Sequence, residues 1–381
     1  MSKASMPKKV ILVSRCAWTL YNFRAGLMRA LQHKGATVIG GGAADGSFEA
    51  KITALGVPFV PLPVDKKGTN VRADIALFWS LYRWYRREKP DVVHHFTIKP
   101  VIYGSIAARL ARVPRIVNTV TGLGYVFMED HIAWLRRFVE QQYKVALTCA
   151  HFTFFQNRDD LELFQKRCLV KPHKTGLLPG SGVDCSLFTP SSTVPVQPDR
   201  PLTFLLMARL LREKGVYEFV EAARLIKRDL PHVQFHLLGD RDERNPTVIS
   251  HRALDLWQAE GVVAWLGAVT DVRPVIAQAD VVVLPSYREG IPRSLLEAAA
   301  MGKPLITTDA VGCRDVVEEG VNGLRVPVQD APALARAMVR MMEDPAMRQR
   351  MGKAGRTKVE REFDERLVIE KIWRIYSEET L

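Results

Sequence analysis

Lys9-Val-Ile-Leu-Val-Ser14, Tyr21-Asn-Phe-Arg-Ala-Gly-Leu-Met-Arg-Ala-Leu-Gln-His-Lys34 closed by Gly35, and Thr37-Val-Ile-Gly-Gly-Gly42 decide the architecture. The first is a short, continuous apolar run. The second carries Phe23, Leu27 and Leu31 at helical spacing and stops at a glycine; the third is another apolar run, ending in three glycines. Together they read as a strand, a helix and a parallel strand. The pattern continues with predicted strands over 57–62, 91–96, 115–120 and 152–156, and helices over 75–88 and 103–112. Such alternation specifies an α/β, doubly wound parallel sheet, with sites at the carboxyl ends of the strands.

The second half restarts the pattern. Strands are predicted over 202–207, 234–238, 262–266, 281–285, 304–307 and 323–326, with helices that include 216–228, 293–301 and 331–343. Between the halves, residues 189–200 (TPSSTVPVQPDR) carry three prolines and little large apolar surface, as a linker should. The expected organisation is therefore a domain over 1–188, a linker over 189–200 and a second domain over 201–360, leaving a helical segment in 361–381. Its apolar residues Leu367, Ile369, Ile372, Trp373 and Tyr376 have no strand of their own to cover. With 381 residues, 47% of them hydrophobic, the chain is long enough and apolar enough for two cores.

Composition narrows the function. No stretch approaches the roughly 18 uncharged apolar residues of a membrane span. The apolar run near the N-terminus covers only Val10 to Val13, too short for a secretory signal, so a cytoplasmic location is expected. Five scattered cysteines without a C-x-x-C pair suggest neither a disulfide framework nor a zinc site. The formal charge of +13 is unevenly divided: residues 1–190 hold 27 Lys and Arg against 13 Asp and Glu, and the remainder 27 against 28. A polyanionic partner for the first half follows, either nucleic acid or an anionic membrane surface. No recognition helix, zinc spacing or base-stacking aromatic motif supports nucleic acid.

The densest chemistry lies in Tyr287-Arg-Glu-Gly-Ile-Pro-Arg-Ser-Leu-Leu-Glu-Ala298. Glu289 falls in a loop at a strand's carboxyl end, and Glu297 two turns into the following helix. The backbone amides of Gly290, Ile291 and Pro292–Arg293 open that helix, where unsatisfied N–H groups and the helix dipole favour an anion. Carboxylates hold sugar hydroxyls and an amide nest holds a diphosphate. Arg209 and Lys214 bracket the loop after the first strand of the second half, where two cations would neutralise a diphosphate leaving group in place of a metal. Gly239 and Trp265 mark two further strand ends. The only D-x-D triplet near a strand end, Asp240-Arg-Asp242, follows a motif better explained as a nucleotide loop, so no metal is expected.

The series Ala208-Arg-Leu-x4-Lys-Gly, Leu237-Leu-Gly-Asp, Trp265-Leu-Gly and Glu289-Gly-Ile-Pro-x4-Glu-Ala resembles the nucleotide-sugar domain of the family 4 retaining glycosyltransferases of GT-B fold. Within that family, the stretches 209–215, 239–246, 285–292 and 312–315 resemble bacterial PglA-like N-acetylgalactosaminyltransferases, which extend undecaprenyl-diphosphate-linked sugars. The resemblance implies two Rossmann-like domains facing across a cleft, with the helix in 361–381 crossing back to the first. It implies a UDP-sugar donor, with Arg209 and Lys214 on the diphosphate, Glu289 on the sugar, Glu297 on the ribose and the Trp265 strand end on the uracil. Many members carry a histidine where Thr121 stands here, which passes the sugar contact to the backbone of the Thr121, Gly122 to Gly124 loop. At the strand ends of the first half, His94, Thr97 and Lys99 are candidates for the acceptor's diphosphate.

The basic excess then has a place. Residues 75–87 and 132–138 mix aromatic residues with arginines at helical spacing, the composition of a helix in a membrane interface. The expected activity is transfer of N-acetylgalactosamine from a UDP-sugar to an undecaprenyl-diphosphate-linked saccharide, by a protein peripheral on the cytosolic face of the inner membrane. The alternatives are a GT-B transferase using UDP-glucose, UDP-galactose or GDP-mannose in capsule, exopolysaccharide or O-antigen synthesis, and, from another class, a basic nucleic-acid-binding protein.

Overall fold

The computed structural model describes residues 6–65, 70–123, 133–190, 200–243 and 245–377. Most of the expected linker, 191–199, lies outside them, as do Gly124, Ile132 and the side chains of 133–135. The chain divides into two compact units, residues 1–181 with 366–381, and residues 182–365.

In the first unit seven strands run β1 (Lys9–Cys16), β2 (Thr37–Ala43), β3 (Phe59–Pro61), β4 (Val92–Phe96), β5 (Arg115–Val120), β6 (Phe152–Phe155) and β7 (Thr175–Leu177). Its helices are α1 (Ala17–His33), α2 (Ser47–Ala54), α3 (Val71–Glu88), α4 (Ser105–Leu110), α5 (Ala133–Cys149) and α6 (Arg158–Lys166), α4 being preceded by a wide turn over Pro100–Gly104. Every strand pairing is parallel, in the order β3-β2-β1-β4-β5-β6-β7. Strands covered by helices on both faces must be apolar on both, which is why β1 shows an apolar run instead of an alternation. Val10 and Leu12 enter one core with α1, while Ile11 and Val13 enter the other with α3 and α4.

The second unit contains β8 (Thr203–Met207), α7 (Val216–Lys227), β9 (Gln234–Leu238), α8 (His251–Ala259), β10 (Ala264–Trp265), α9 (Arg273–Gln278) and β11 (Val281–Leu284). It continues with α10 (Arg293–Ala300), β12 (Leu305–Thr308), α11 (Cys313–Val316), β13 (Gly323–Val326), α12 (Ala331–Glu343) and α13 (Pro345–Glu362). Its sheet is parallel, in the order β10-β9-β8-β11-β12-β13. The unit begins earlier than the residue 201 expected from sequence, because Val183, Cys185 and Phe188 are buried in its core and Arg356 of α13 donates to the carbonyls of Cys185 and Phe188.

The last helix, α14 (Glu365–Ser377), belongs to the first unit. Val368, Ile372 and Tyr376 are buried beside Leu12, Leu20 and Met28. The Tyr376 hydroxyl lies 2.6 Å from His94 Nδ1, and His94 Nε2 lies 2.7 Å from Thr119 Oγ1. Both ring nitrogens are thus engaged inside the core, and the residue is 0% exposed. The assignment of His94 to the acceptor is therefore corrected: it sits in the middle of the central strand β4 and reaches no surface. Its neighbour His95 is equally buried, between Tyr85 and Asn118.

Burial holds both imidazoles neutral. His94 lies well below the usual imidazole range through desolvation and the Arg24 charge, and desolvation pushes His95 from 6.5 down to about 4. Unfolding frees both rings to bind protons, so below pH 6.5 the unfolded chain takes up more protons than the folded one and stability falls with pH. For His95 the loss accumulates from 6.5 down to about 4 at about 1.4 kcal/mol per pH unit. Thermal melts at pH 7 and pH 5 check this: the first unit is expected to melt lower at pH 5, with a shallower dependence in His95→Gln. An equal dependence in the variant would remove His95 as the cause.

Candidate functional site

Sheet order places the site. β8 and β11 are neighbours, and their connections leave in opposite directions, toward β9 on one side and β12 on the other. Ligands of open α/β sheets bind at such a switch point, beyond the carboxyl ends of the strands. The loops leaving these two strands, 208–215 and 285–292, contain Arg209, Lys214, Glu289, Gly290, Ile291 and Pro292.

The two loops are fixed to each other by backbone. Gly215 takes φ +74°, and a Cβ there would stand 2.1 Å from the Pro285 carbonyl oxygen, so only glycine lets the loops close. Ser286 Oγ and the Tyr287 amide both donate to the Glu213 carbonyl, at 3.0 and 2.9 Å. The Tyr287 hydroxyl donates to Glu218 on α7 at 2.7 Å, and burial together with that carboxylate pushes its pKa up to about 12. On the far side the Glu289 amide donates to the Val311 carbonyl at 2.9 Å. Gly312, at φ +80°, leaves no room for a Cβ, which would lie 2.2 Å from the Gly290 oxygen.

This framework brings Lys214 Nζ to 2.5 Å from Glu289 Oε1, with both side chains 16% exposed. Two residues 75 positions apart in sequence thus form a shielded ion pair at the switch point. Directly after it, α10 starts from Pro292 with no side-chain cap, and helix N-termini of this kind favour anions. Inside that helix Glu297 accepts from Arg293 at 2.8 Å. Burial raises the Glu297 pKa, and the Arg293 charge and hydrogen bond oppose the rise.

Arg209 takes a different position from Lys214. Its guanidinium is 3.4 Å from Asp242 Oδ2 and more exposed than the Lys214 ammonium. Asp242 belongs to the connection after β9, which lies across the 209–214 loop: Arg212 donates to the Thr247 carbonyl at 2.9 Å, Ile249 to that of Leu210 at 3.0 Å, and Thr247 Oγ1 to Glu213 at 2.6 Å. Gly239, at the head of that connection, is required by backbone contact, since a Cβ would stand 1.8 Å from the Ala208 oxygen. Trp265 Nε1 donates to the Gly239 carbonyl at 3.0 Å, so its indole N–H is engaged within the fold.

In the first unit Thr121 and Gly122 lie just beyond β5, with Gly122 at φ +126°. Lys99 is held by two carboxylates, Asp74 at 2.8 Å and Asp65 at 3.6 Å, rather than standing as an isolated surface cation. Thr97, just after β4, takes φ +71°, a left-handed conformation that a β-branched residue rarely adopts. Sequence reasoning did not identify Asp242, Arg293 or Glu218 as partners. The i,i+4 spacing of Arg293 and Glu297 was the one available signal for them. Among the described residues no group of three or more His, Cys, Asp or Glu is placed to hold a metal ion, and all five cysteines are free.

The family described as Glycosyl transferase 4-like matches residues 9–157, and the family described as Glycosyl transferases group 1 matches residues 201–344, one in each unit. The chain belongs to the glycosyltransferases of the GT-B fold, with two Rossmann-like domains. Among its relatives, the Campylobacter jejuni N,N'-diacetylbacillosaminyl-diphospho-undecaprenol alpha-1,3-N-acetylgalactosaminyltransferase is 27% identical over 97% of this chain and 98% of that protein. The Escherichia coli UDP-Gal:alpha-D-GlcNAc-diphosphoundecaprenol alpha-1,3-galactosyltransferase is 29% identical over 83% of this chain and 82% of that protein. Anabaena HepE, solved in complex with UDP and glucose, superposes with a TM-score of 0.78 at 18% identity, covering 98% of this chain and 100% of that one.

Proposed function

We propose that the protein is a retaining glycosyltransferase that moves a sugar, N-acetylgalactosamine by preference, from a UDP-sugar to an undecaprenyl-diphosphate-linked saccharide at the cytosolic face of the membrane. The observation that carries this reading is the Lys214–Glu289 pair at the β8/β11 switch point, beside an uncapped helix start. Similarity over 97% of the chain to the C. jejuni N-acetylgalactosaminyltransferase supports the sugar, and the diphospho-undecaprenol-linked acceptors named for both relatives support the acceptor. In this reading Lys214 and Arg209 neutralise the charge that grows on the diphosphate as the bond from its oxygen to the sugar's anomeric carbon breaks. The acceptor hydroxyl attacks that carbon, and its proton passes to the departing phosphate oxygen. Glu289 orients the donor sugar, Glu297 takes the ribose, and the Gly290–Pro292 loop that opens α10 takes the diphosphate. Gly239 and the Trp265 strand end border the base, and Thr121 and Gly122 meet the sugar from the first unit.

Membrane docking is assigned to α3. This helix buries Leu77, Leu81, Trp84 and Tyr85 against its own sheet, yet exposes Val71, Ile75 and Trp79, spaced four residues apart. Arg83, Arg86 and Arg87, all exposed, continue toward its C-terminus. An apolar stripe beside cations suits an anionic bilayer surface, each cation adding about 1 kcal/mol. Among the described residues no helix is long and apolar enough to cross a membrane.

The test is transfer by purified protein from UDP-N-acetylgalactosamine to a short polyprenyl-diphosphate-linked sugar, in parallel with UDP-galactose, UDP-glucose and GDP-mannose, with and without EDTA. The expected result is retention of anomeric configuration, preference for a UDP-sugar and full activity in EDTA. Preference for GDP-mannose would overturn the donor, and loss in EDTA restored by magnesium or manganese would overturn the role given to the two cations.

A further inference from the structure

The first sheet has a switch point of its own, between β1 and β4, the counterpart of the β8/β11 position that holds Lys214 and Glu289. At its carboxyl edge three buried polar atoms have no hydrogen-bond partner: Ser14 Oγ, Arg15 Nε and Thr97 Oγ1. Ser14 is 0% exposed. The β1–β4 register ends with Val13 opposite His95, and Arg15 and Thr97 each follow two residues later, at the ends of these adjacent strands, where β1 also has a bulge between Val13 and Cys16. Buried polar atoms are nearly always paired, so three exceptions on adjacent strand ends call for an occupant. Thr97 is also the residue held at φ +71°, and such strain concentrates at ligand sites.

The chemistry of the occupant follows from the atoms. Arg Nε–H only donates, and both hydroxyls can donate, so one ligand satisfying all three must present several acceptor oxygens. The 17-residue helix α1 begins immediately afterwards, with no side-chain cap from Cys16 and no acidic residue in its first turn. One of its early amides, that of Trp18, is taken by Asp45 at 2.8 Å. Lys99 is already held by Asp74 and Asp65, whereas Arg15 has no ion pair among the described residues. We propose that the β1/β4 switch point binds a phosphoryl group, with Arg15 as its cation and Ser14 and Thr97 as hydroxyl donors, and that this group is the diphosphate of the lipid-linked acceptor. The second clause rests on the functional reading above.

The experiment titrates the full-length protein, Arg15→Gln and Ser14→Ala with farnesyl diphosphate, inorganic pyrophosphate and UDP, by calorimetry and thermal shift. Wild type is expected to bind farnesyl diphosphate and pyrophosphate. Arg15→Gln should weaken both about ten- to hundredfold, the loss of a charge-assisted contact, while leaving UDP affinity unchanged. Ser14→Ala removes a hydroxyl with no partner in the fold, so without ligand it should melt no lower than wild type, yet show a smaller shift with farnesyl diphosphate. A purely structural serine would do the reverse. Variants that bind farnesyl diphosphate as wild type does would overturn the site and leave the acceptor reading standing. Wild type that binds UDP but not farnesyl diphosphate would overturn both. Equal loss of UDP in Arg15→Gln would assign the phosphoryl group to the donor and overturn the acceptor assignment.

Discussion

A chain ending at Asp364 is expected to lose the melting transition of its first unit, to keep that of its second, and to transfer no sugar although every residue named at the β8/β11 site remains. The reason is where α14 sits. Val368, Ile372 and Tyr376 are 2%, 1% and 3% exposed, and they complete the core that contains Leu12, Leu20 and Met28. At about 1.5–3 kcal/mol for each large apolar side chain, three such residues contribute roughly 5–9 kcal/mol, an upper value because the unfolded chain already buries some surface. That is comparable to the roughly 5–15 kcal/mol that holds a whole domain together. The helix supplies more than apolar area: Lys34 stands over the Trp373 ring at 4.9 Å, and Arg115 donates to the Ile375 carbonyl. Truncation also strips His94 Nδ1 of its hydrogen-bond partner inside the core. Differential scanning calorimetry of the truncated protein is the measurement. A first unit that melts at the unmodified temperature would show that α14 is an appendage.

Glu289→Gln is expected to lower transfer by at least about 10²- to 10³-fold, the loss seen when one preorganised group facing developing charge is removed. The fold should survive, because glutamine keeps the shape and still offers an oxygen to Lys214. What changes is charge: the Lys214 ammonium, 16% exposed, loses the carboxylate 2.5 Å away. Lys214→Gln should cause a loss of similar size, and the double variant should be little worse than either single one, since the two groups act as a unit. Steady-state kinetics on proteins checked by circular dichroism decide the matter. Full activity in a folded Glu289→Gln protein would remove the pair from the chemistry.

These effects were unequally visible in the sequence. Central strands such as β1, β4, β5, β8 and β11 were legible within a residue or two, because parallel strands buried on both faces are written as continuous apolar runs. The edge strands β3 and β10 proved only three and two residues long, where the apolar runs suggested six and five. Helix α13 offered only a thin apolar line, Met347, Met351 and Val359, to read, and beside it packs through glycine, with Gly352 so close to Gly302 that a Cβ would lie 2.1 Å from its carbonyl oxygen. Close contact of two backbones needs no large apolar side chain.

At the site, Glu289 and Lys214 were legible one at a time, each from its place after a strand. Their pairing was not, since it depends on Gly215 letting two loops meet. His94 shows the opposite failure: His94-His95 at a strand's end reads like a site, and only the strand order reveals that β4 is central and that Tyr376, 282 residues away, completes its hydrogen bonds. Similarly, Arg209 carries the expected type of charge, but its Asp242 partner comes from a connection whose path is set by backbone hydrogen bonds to residues 210 and 212.

The discontinuity of the first unit also sets an order of events during synthesis. Residues 182–365 form one uninterrupted stretch and can close as soon as they have left the ribosome, whereas the unit begun earlier waits for residues 366–377 before its β1 and β4 core is sealed. The usual sequence, in which the N-terminal domain is finished first, is therefore inverted. Until then the face formed by Leu20, Met28 and Phe96 stays open to water and to chaperones. A chain that stops short of Tyr376 has a finished second unit and an unsealed first one, and quality-control proteases would recognise it as unfolded.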